Sequence, residues 1–186
     1  PRLEAVTGES KDSRFAQAVI EESEELLTEA PFILSVTRFG HVTVNAGIDR
    51  SNVPGADLLL LPADPTASAD RLSAALDVPV IVTDTSGRPF RYGQRGVAIG
   101  WAGMPAARYW RGESDRDGRE LDVTVQAVVD ELAASANLVT GEGGGGTPAA
   151  VVRGFEFGDH AGSENLFRSD EDDIVREALR EWEFGA

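Results

Sequence analysis

Val78-Pro79-Val80-Ile81-Val82-Thr83 passes without a break into the polar run Asp84-Thr85-Ser86-Gly87-Arg88. The first segment is apolar and has the length of a buried strand, which we predict to end at Asp84. Carboxyl and hydroxyl groups that follow the carboxyl end of such a strand lie where open sheets bind ligands. The alternative is an ordinary strand end, at which polar residues form a turn or cap a helix.

Helices and strands are mixed irregularly on both sides of this strand. Asp64-Pro65 predicts the start of a helix, with proline at its first position, and the glycine run after Thr140 predicts the end of another. Because no regular strand–helix–strand repeat is present, we predict the α+β class, with mixed or antiparallel sheets and flanking helices. The predicted helices are 13–28, 65–76, 123–140 and one capped by Ser169 that runs to Trp182; the predicted strands are 32–37, 41–45, 58–61, 78–83 and 149–152, and 155–168 is a predicted loop.

The composition excludes several functional classes. Hydrophobic residues make up 41 % of the 186 residues, enough for a packed core in one domain or two small lobes. Because no apolar run is long enough to cross a bilayer and no signal segment is found, we expect a cytoplasmic protein with no membrane partner. The absence of cysteine excludes disulfides, thiolate metal sites and a cysteine nucleophile.

The chain is strongly acidic. Asp and Glu number 32 against 17 Lys and Arg, and the formal net charge is −15. Such a surface repels nucleic acid and anionic lipid, so neither is an expected partner. The carboxylates are spread along the whole chain and Lys11 is the only lysine. This distribution favours a halophilic source, in which salt screens the self-repulsion.

Three further polar stretches, 45–52, 111–118 and 141–148, offer groups for chemistry. Their plain structural interpretations are a turn, a solvated charged loop and a flexible glycine linker. Alternatively, Asp49, Asp84 and Glu142 bind a hard dication such as Mg²⁺ or Mn²⁺ together with phosphate, and the glycines admit phosphate oxygens to backbone N–H groups. Sequence spacing does not show that the three carboxylates meet, so both interpretations stay open.

Six short sequence blocks of the chain occur in the same order as the signature blocks of one known family. They are NAGIDRSN at 45–52, TDTSGRPFR at 83–91, GQRGVAIG at 93–100, YWRG at 109–112, DELAA at 130–134 and VVRG at 151–154. Together they resemble the signature blocks of the coenzyme F420:L-glutamate ligases, or F420-0:gamma-glutamyl ligases. The resemblance implies the gamma-glutamyl ligase-like fold and a single domain over residues 1–186 that lacks the family's amino-terminal segment.

The resemblance also implies a reaction and its partners. Family members use GTP to attach L-glutamate to the lactyl carboxylate of the coenzyme F420 precursor, and a second glutamate is then added through a gamma linkage. Phosphoryl transfer from GTP gives an acyl phosphate, which the glutamate amine displaces with release of GDP and phosphate. Two dication sites for Mg²⁺ or Mn²⁺, K⁺ as a further cation, and a homodimer are implied as well.

Particular residues receive roles from the same resemblance. Asp49 and Asp84 match the first metal site and are the residues that we predict to be catalytic. Thr85 and Glu142 match the second metal site. The implied nucleotide-binding residues are Asn52, Thr140, Gly141, Glu142, Gly143, Gly144, Gly145, Gly146 and Thr147.

Two departures from the family pattern leave alternatives to ligation. Relatives have a His-Gly-Phe order where this chain reads Phe39-Gly40-His41, so we assign His41 no family role. Relatives also have an amino-terminal stretch that supplies part of the GTP site and that does not precede Pro1 here. The alternatives are a catalytically impaired relative that binds coenzyme or metal, and a metal-dependent phosphohydrolase that uses the same carboxylates on water.

The acidic composition predicts that the fold depends on salt. At low KCl concentration the carboxylates repel one another without screening, so the protein should unfold, and its thermal midpoint should rise with KCl. Melting curves followed by circular dichroism across a KCl series measure this midpoint. A midpoint that does not change with KCl would contradict the prediction.

Overall fold

The computed structural model describes residues 12–29, 32–50 and 55–182. Helices are mixed with small antiparallel sheets, which confirms the predicted α+β class. In chain order the elements are α1 (Ser13–Glu22), β1 (Ser23–Thr28), β2 (Leu34–Thr37), β3 (Val42–Val44), α2 (Pro65–Leu76), β4 (Val80–Arg88), β5 (Arg91–Ala102), β6 (Ala107–Tyr109), β7 (Val125–Gln126), α3 (Val128–Thr140), β8 (Gly162–Ser163) and α4 (Ile174–Glu181), with 3₁₀ turns at Asn45–Gly47 and Asp170–Asp172.

The chain divides into two compact units. The first comprises Pro1–Ala63 and Phe167–Ala186, and the second comprises Asp64–Leu166. The first contains the sheet β1-β2-β3, and the second contains the hairpin β4-β5 and the small sheet β7-β6-β8. No helix in the described ranges is long and apolar enough to span a membrane.

The first unit is an antiparallel sheet packed against α1. Strands β2 and β3 form the predicted hairpin, with Val36 opposite Val42. His41, at its turn, is buried, and its ring lies 6.4 Å from that of Phe39 and 6.2 Å from that of Phe167. The core is formed by the apolar face of α1 and residues that flank β2 and β3, namely Phe15, Ala16, Val19, Ile33, Ala46 and Ile48.

Helix α1 is shorter than predicted, because residues 23–28 form β1 instead of the second half of a helix. Ser23 has extended backbone angles, and its hydroxyl donates to the Val19 carbonyl at 2.6 Å. Leu26 pairs with Ser35 of the following strand. The apolar residues of 23–28 fit helical spacing, but they form a strand because β2 pairs with them. Helical spacing does not report that pairing.

Two other predictions in this unit are wrong. The segment 58–61 is not a buried strand, since Leu59 makes only an isolated bridge to Asp49 and is 55 % exposed. Among the described residues, no neighbouring strand supplies the hydrogen-bond ladder that a buried strand requires. The last helix is capped by Asp173, whose carboxylate accepts from two backbone amides of α4, and not by Ser169.

An arginine ties helix α4 to β1. Arg180 donates to both carboxylate oxygens of Glu25, each at 2.6 Å, and to Asp170 at 3.1 Å. Hydrogen bonds from Arg176 and Arg180 hold the pKa of the Asp170 carboxyl below its usual value. The paired charges thus fix the end of the described chain to its first strand.

Strands β4 and β5 of the second unit form one long antiparallel hairpin. Strand β4 continues past Asp84 to Arg88, so the predicted strand end is wrong. The polar residues after Thr83 continue the strand because β5 pairs with them. Asp84 lies opposite Val97, and Thr85 lies opposite Gly96. The partner β5 is 12 residues long, and only its second half is buried.

Both helices of the second unit pack on β5 at glycine positions. A Cβ atom at Gly96 would lie 2.5 Å from the Ala133 carbonyl oxygen of α3. One at Gly100 would lie 2.4 Å from the Pro65 carbonyl carbon of α2. These distances are well below van der Waals contact, so only glycine admits the two helices at this separation.

The remaining predictions in this unit have mixed outcomes. Helix α2 is confirmed, with the Asp64 carboxylate accepting from the Ala67 amide at 2.8 Å. Helix α3 ends at Thr140 as predicted but begins only at Val128, because the residues before it pair with β6 as β7. The segment 149–152 is not a strand, and the predicted loop 155–168 contains only the two-residue β8.

The close contact at Gly100 predicts a large effect of adding one methyl group. Gly100→Ala should lower the free energy of unfolding by about 2 kcal/mol, because the strand or α2 must shift to relieve the overlap. Gly87→Ala is the matched control, since a Cβ at Gly87 meets no atom within 4 Å. Urea unfolding at high KCl measures both changes. Equal stability of the two variants would contradict the packing described here.

Candidate functional site

Thr85 and Glu142, two of the predicted metal-site residues, lie together in the second unit. Thr85 belongs to β4, and Glu142 follows the end of α3, 57 residues further along the chain. The Thr85 hydroxyl donates to Glu142 Oε1 at 3.3 Å. Because the two residues come from different elements, their contact depends on the packing of α3 against the hairpin.

Asn137 of α3 fixes Glu142 in this position. Its side-chain Nδ2 donates to Glu142 Oε1 at 2.8 Å, and its Oδ1 accepts from the Gly96 amide at 3.2 Å. Nearer the start of the helix, Asp130 accepts from the Ala98 amide at 2.9 Å. Side chains of α3 therefore satisfy amide groups on the edge of β5 where the described part of the chain places no neighbouring strand.

The donor atoms of this pair suit a hard cation. Both hydrogen bonds that Glu142 accepts within the described ranges go to Oε1, which leaves Oε2 and the acceptor lone pairs of the Thr85 hydroxyl for a ligand. Mg²⁺ and Mn²⁺ prefer such oxygen atoms and commonly share one or two carboxylates with phosphate. No group of three or more His, Asp or Glu side chains in the described ranges is placed to hold a metal ion. A dication here would therefore need oxygen atoms from its ligand as well.

The glycine run after α3 leaves its backbone open. Gly141 has a positive φ of 68° at the end of the helix, a conformation that favours glycine. Residues 141–149 are exposed and form neither helix nor strand. Glu142 is the only residue of 142–146 with a side chain beyond hydrogen, so the backbone N–H groups after Gly141 are accessible to an anion. The Gly141 amide itself donates to the Asn137 carbonyl at 2.9 Å.

The other predicted site residues are not brought together by described contacts. Asp84 follows the strand alternation and points to the face of the hairpin opposite Thr85. Asp49 belongs to the first unit and is exposed, so its convergence with Asp84 and Glu142 stays a prediction. Asn52 lies outside the described residues.

Sequence reasoning missed the part that Asn137 and Asp130 play. Both share a helix face with the buried Ala133, at the spacing that places residues three, four and seven apart on one side. A polar side chain on the packed face of a helix requires a hydrogen-bond partner. Helix spacing alone could therefore have indicated that these two side chains form hydrogen bonds to the element packed against α3.

Comparisons with known proteins agree with the resemblance of the sequence blocks. Residues 2–154 match the model of the F420-0:Gamma-glutamyl ligase family. The coenzyme F420:L-glutamate ligase of Natronomonas pharaonis is 81 % identical over 183 residues, covering 98 % of this chain and 72 % of that protein. The proteins of the same name from Halobacterium salinarum and Archaeoglobus fulgidus are 70 % and 50 % identical, covering 98 % and 91 % of this chain and 73 % and 71 % of their own lengths.

The family model and these relatives match most of the chain, and all of them are named as ligases. The chain belongs to the F420-0:gamma-glutamyl ligase family. Its high identity to proteins of halophilic archaea also confirms the source that the dispersed acidic residues predicted.

The double role of Asn137 gives a stability prediction. Asn137→Ala removes the acceptor of the Gly96 amide and should lower the free energy of unfolding by about 1–2 kcal/mol, because that partly buried amide is left without its partner. Asn165→Ala is the matched control, since Asn165 is exposed and its side-chain amide makes no hydrogen bond in the described part of the chain. Urea unfolding compares the two variants. A loss no greater than that of the control would show that the bond is dispensable.

Proposed function

We propose that this chain attaches L-glutamate to a precursor of coenzyme F420. The observation that carries the proposal is the contact between Thr85 and Glu142 beside the open glycine run, in a chain 81 % identical to a coenzyme F420:L-glutamate ligase. A carboxylate, a hydroxyl group and accessible backbone N–H groups are the components that a site for a dication and a nucleotide triphosphate requires.

The proposed reaction uses GTP because a carboxylate resists attack by an amine. The γ-phosphoryl group moves to the lactyl carboxylate, so that an oxygen–phosphorus bond forms and the bond to GDP breaks. The L-glutamate amine then attacks the acyl carbon, an amide bond forms, and inorganic phosphate leaves. A second glutamate is joined by the same steps through its amine and the gamma-carboxylate of the first.

The residues of this chain bind and orient the reactants in this proposal. The loop 140–147 surrounds the GTP phosphates, with backbone N–H groups after Gly141 as donors to the phosphate oxygens, and Asn52 contacts the nucleotide. Two residue pairs hold two dications, Mg²⁺ or Mn²⁺: Asp49 with Asp84, and Thr85 with Glu142. When bound, the dications neutralise charge that develops on the phosphoryl oxygens and align the transfer. We propose K⁺ as a further cation and a homodimer as the assembly.

The proposal is tested by incubating the chain with GTP, Mn²⁺, L-glutamate and the glutamate-free coenzyme in concentrated KCl. Mass spectrometry should show coenzyme that has gained glutamate, with one GDP formed per amide bond. GDP formed without any change in the coenzyme would instead indicate a phosphohydrolase. No turnover, together with retained binding of coenzyme or metal, would indicate a catalytically impaired relative.

The proposed dication sites are tested by removing one donor at a time. Thr85→Val should weaken Mn²⁺ binding in the presence of GTP by at least about tenfold, because the second site loses a ligand. Thr83→Val is the matched control, since Thr83 lies exposed on the same strand. Asp84→Asn should reduce turnover by orders of magnitude and leave the thermal midpoint nearly unchanged. Near-normal turnover of Asp84→Asn would refute its assignment.

A further inference from the structure

The segment 85–112 has a charge opposite to that of the rest of the chain. It contains five arginines and no Asp or Glu, although about one residue in six of the whole sequence is acidic. Three of these arginines, Arg88, Arg91 and Arg95, lie on the β4–β5 hairpin. A cationic patch in a chain of net charge −15 is a local exception that the acidic composition does not explain.

No ion pair within the described ranges includes a hairpin arginine, whereas Arg180 pairs with Glu25 and Arg14 with Asp57. Arg88 donates to the Gly93 carbonyl at 3.5 Å, within the hairpin itself. Arg88 and Arg91 lie directly opposite each other, an arrangement in which like charges repel. The Nε atom of Arg95 is buried and has no hydrogen-bond partner among the described residues. Buried donors are rarely left unsatisfied, so we expect an acceptor that those residues do not supply.

One of these arginines shares a face with a proposed metal ligand. Asp84 and Ser86 alternate onto one side of β4, and Arg95 lies opposite Ser86; Arg88 follows an irregularity in the pairing, nearer the hairpin tip. Arg95 is therefore one residue pair from Thr85, and Arg88 is about 10 Å along the strand from it, at about 3.4 Å per residue. An extended anion bound to these arginines would lie along the hairpin and end beside Asp84.

We infer that Arg88 and Arg95 of the hairpin bind the phosphate and carboxylate oxygens of the acid substrate. This inference rests on the proposed function, in which the acid substrate is the coenzyme F420 precursor. The family resemblance implies that its lactyl carboxylate ends a phosphodiester side chain, so phosphate and carboxylate lie on one linear chain. Arginines spread along a strand match two separated anions better than one compact triphosphate. The glycine run, which has no arginine, offers backbone N–H groups to the nucleotide instead.

At high salt concentration the hairpin arginines attract an anionic ligand only through direct contact. At about 1 M salt the Debye length is only about 3 Å, so a positive patch does not attract a ligand from a distance. An arginine that forms paired, charge-assisted hydrogen bonds to phosphate or carboxylate still binds, because its geometry excludes intervening ions. At the salt concentration of a halophilic source, the hairpin arginines therefore bind a ligand by direct contact.

The inference is tested by binding of the glutamate-free coenzyme to the 186-residue chain in concentrated KCl, without GTP, by isothermal titration calorimetry. Arg88→Gln and Arg95→Gln should each raise the Kd for the coenzyme about tenfold, because each removes a charged contact. The Kd values for GTP with Mn²⁺ and for L-glutamate should not change. Arg119→Gln is the matched control, since Arg119 is an exposed arginine away from the hairpin and should leave all three Kd values unchanged.

Arg95→Lys separates a ligand contact from a structural role. Lysine keeps the charge but lacks the paired donors, so the coenzyme Kd should lie between those of the wild type and Arg95→Gln. Unchanged coenzyme binding by both glutamine variants overturns the inference alone, and so does weaker binding of GTP or L-glutamate in place of the coenzyme. A wild-type chain that does not bind the coenzyme overturns the proposed function and the inference with it.

Discussion

The second unit depends on the close approach of helix α3 to strand β5. The Ala133 carbonyl lies where a side chain at Gly96 would have to be, and Asn137 then bonds at once to the strand amide and to Glu142. Because one residue joins the strand edge to the glycine run, the position of the carboxylate depends on the helix contact. A shift of α3 that relieved a clash at position 96 would also move Glu142 away from Thr85.

Elements with local chemical signals could be predicted from the sequence. Asp64 and Pro65 mark the start of α2, and Gly141 marks the end of α3, because capping and glycine conformation are local. The strand ends could not be predicted in the same way. Strand β1 and the second half of β4 exist because the next strand along the chain pairs with each of them, and apolar periodicity does not report such partners.

The residues of the candidate site also divide into those that the sequence identified and those that only the fold revealed. Thr85 and Glu142 were identified by the resemblance of short sequence blocks, and their contact in the fold agrees with that choice. Asn137 belongs to none of the six blocks, although it holds Glu142 in place. Helix spacing indicates that Asn137 has a partner on the packed face of α3, but the identity of the partners, the Gly96 amide and Glu142, depends on the packing of α3 against β5. Asp49 and Asp84 come from different units, and no local signal joins them.

The alternation of β4 has a consequence for how this family can change in length. Adjacent residues Asp84 and Thr85 present their oxygen atoms on opposite sides of the hairpin, and irregularities in the pairing flank them at Val82/Thr83 and Ser86/Arg88. Inserting or deleting one residue between those irregularities would slip the register and exchange the two sides. Natural variation in chain length should therefore collect at the hairpin tip and avoid the four residues 83–86.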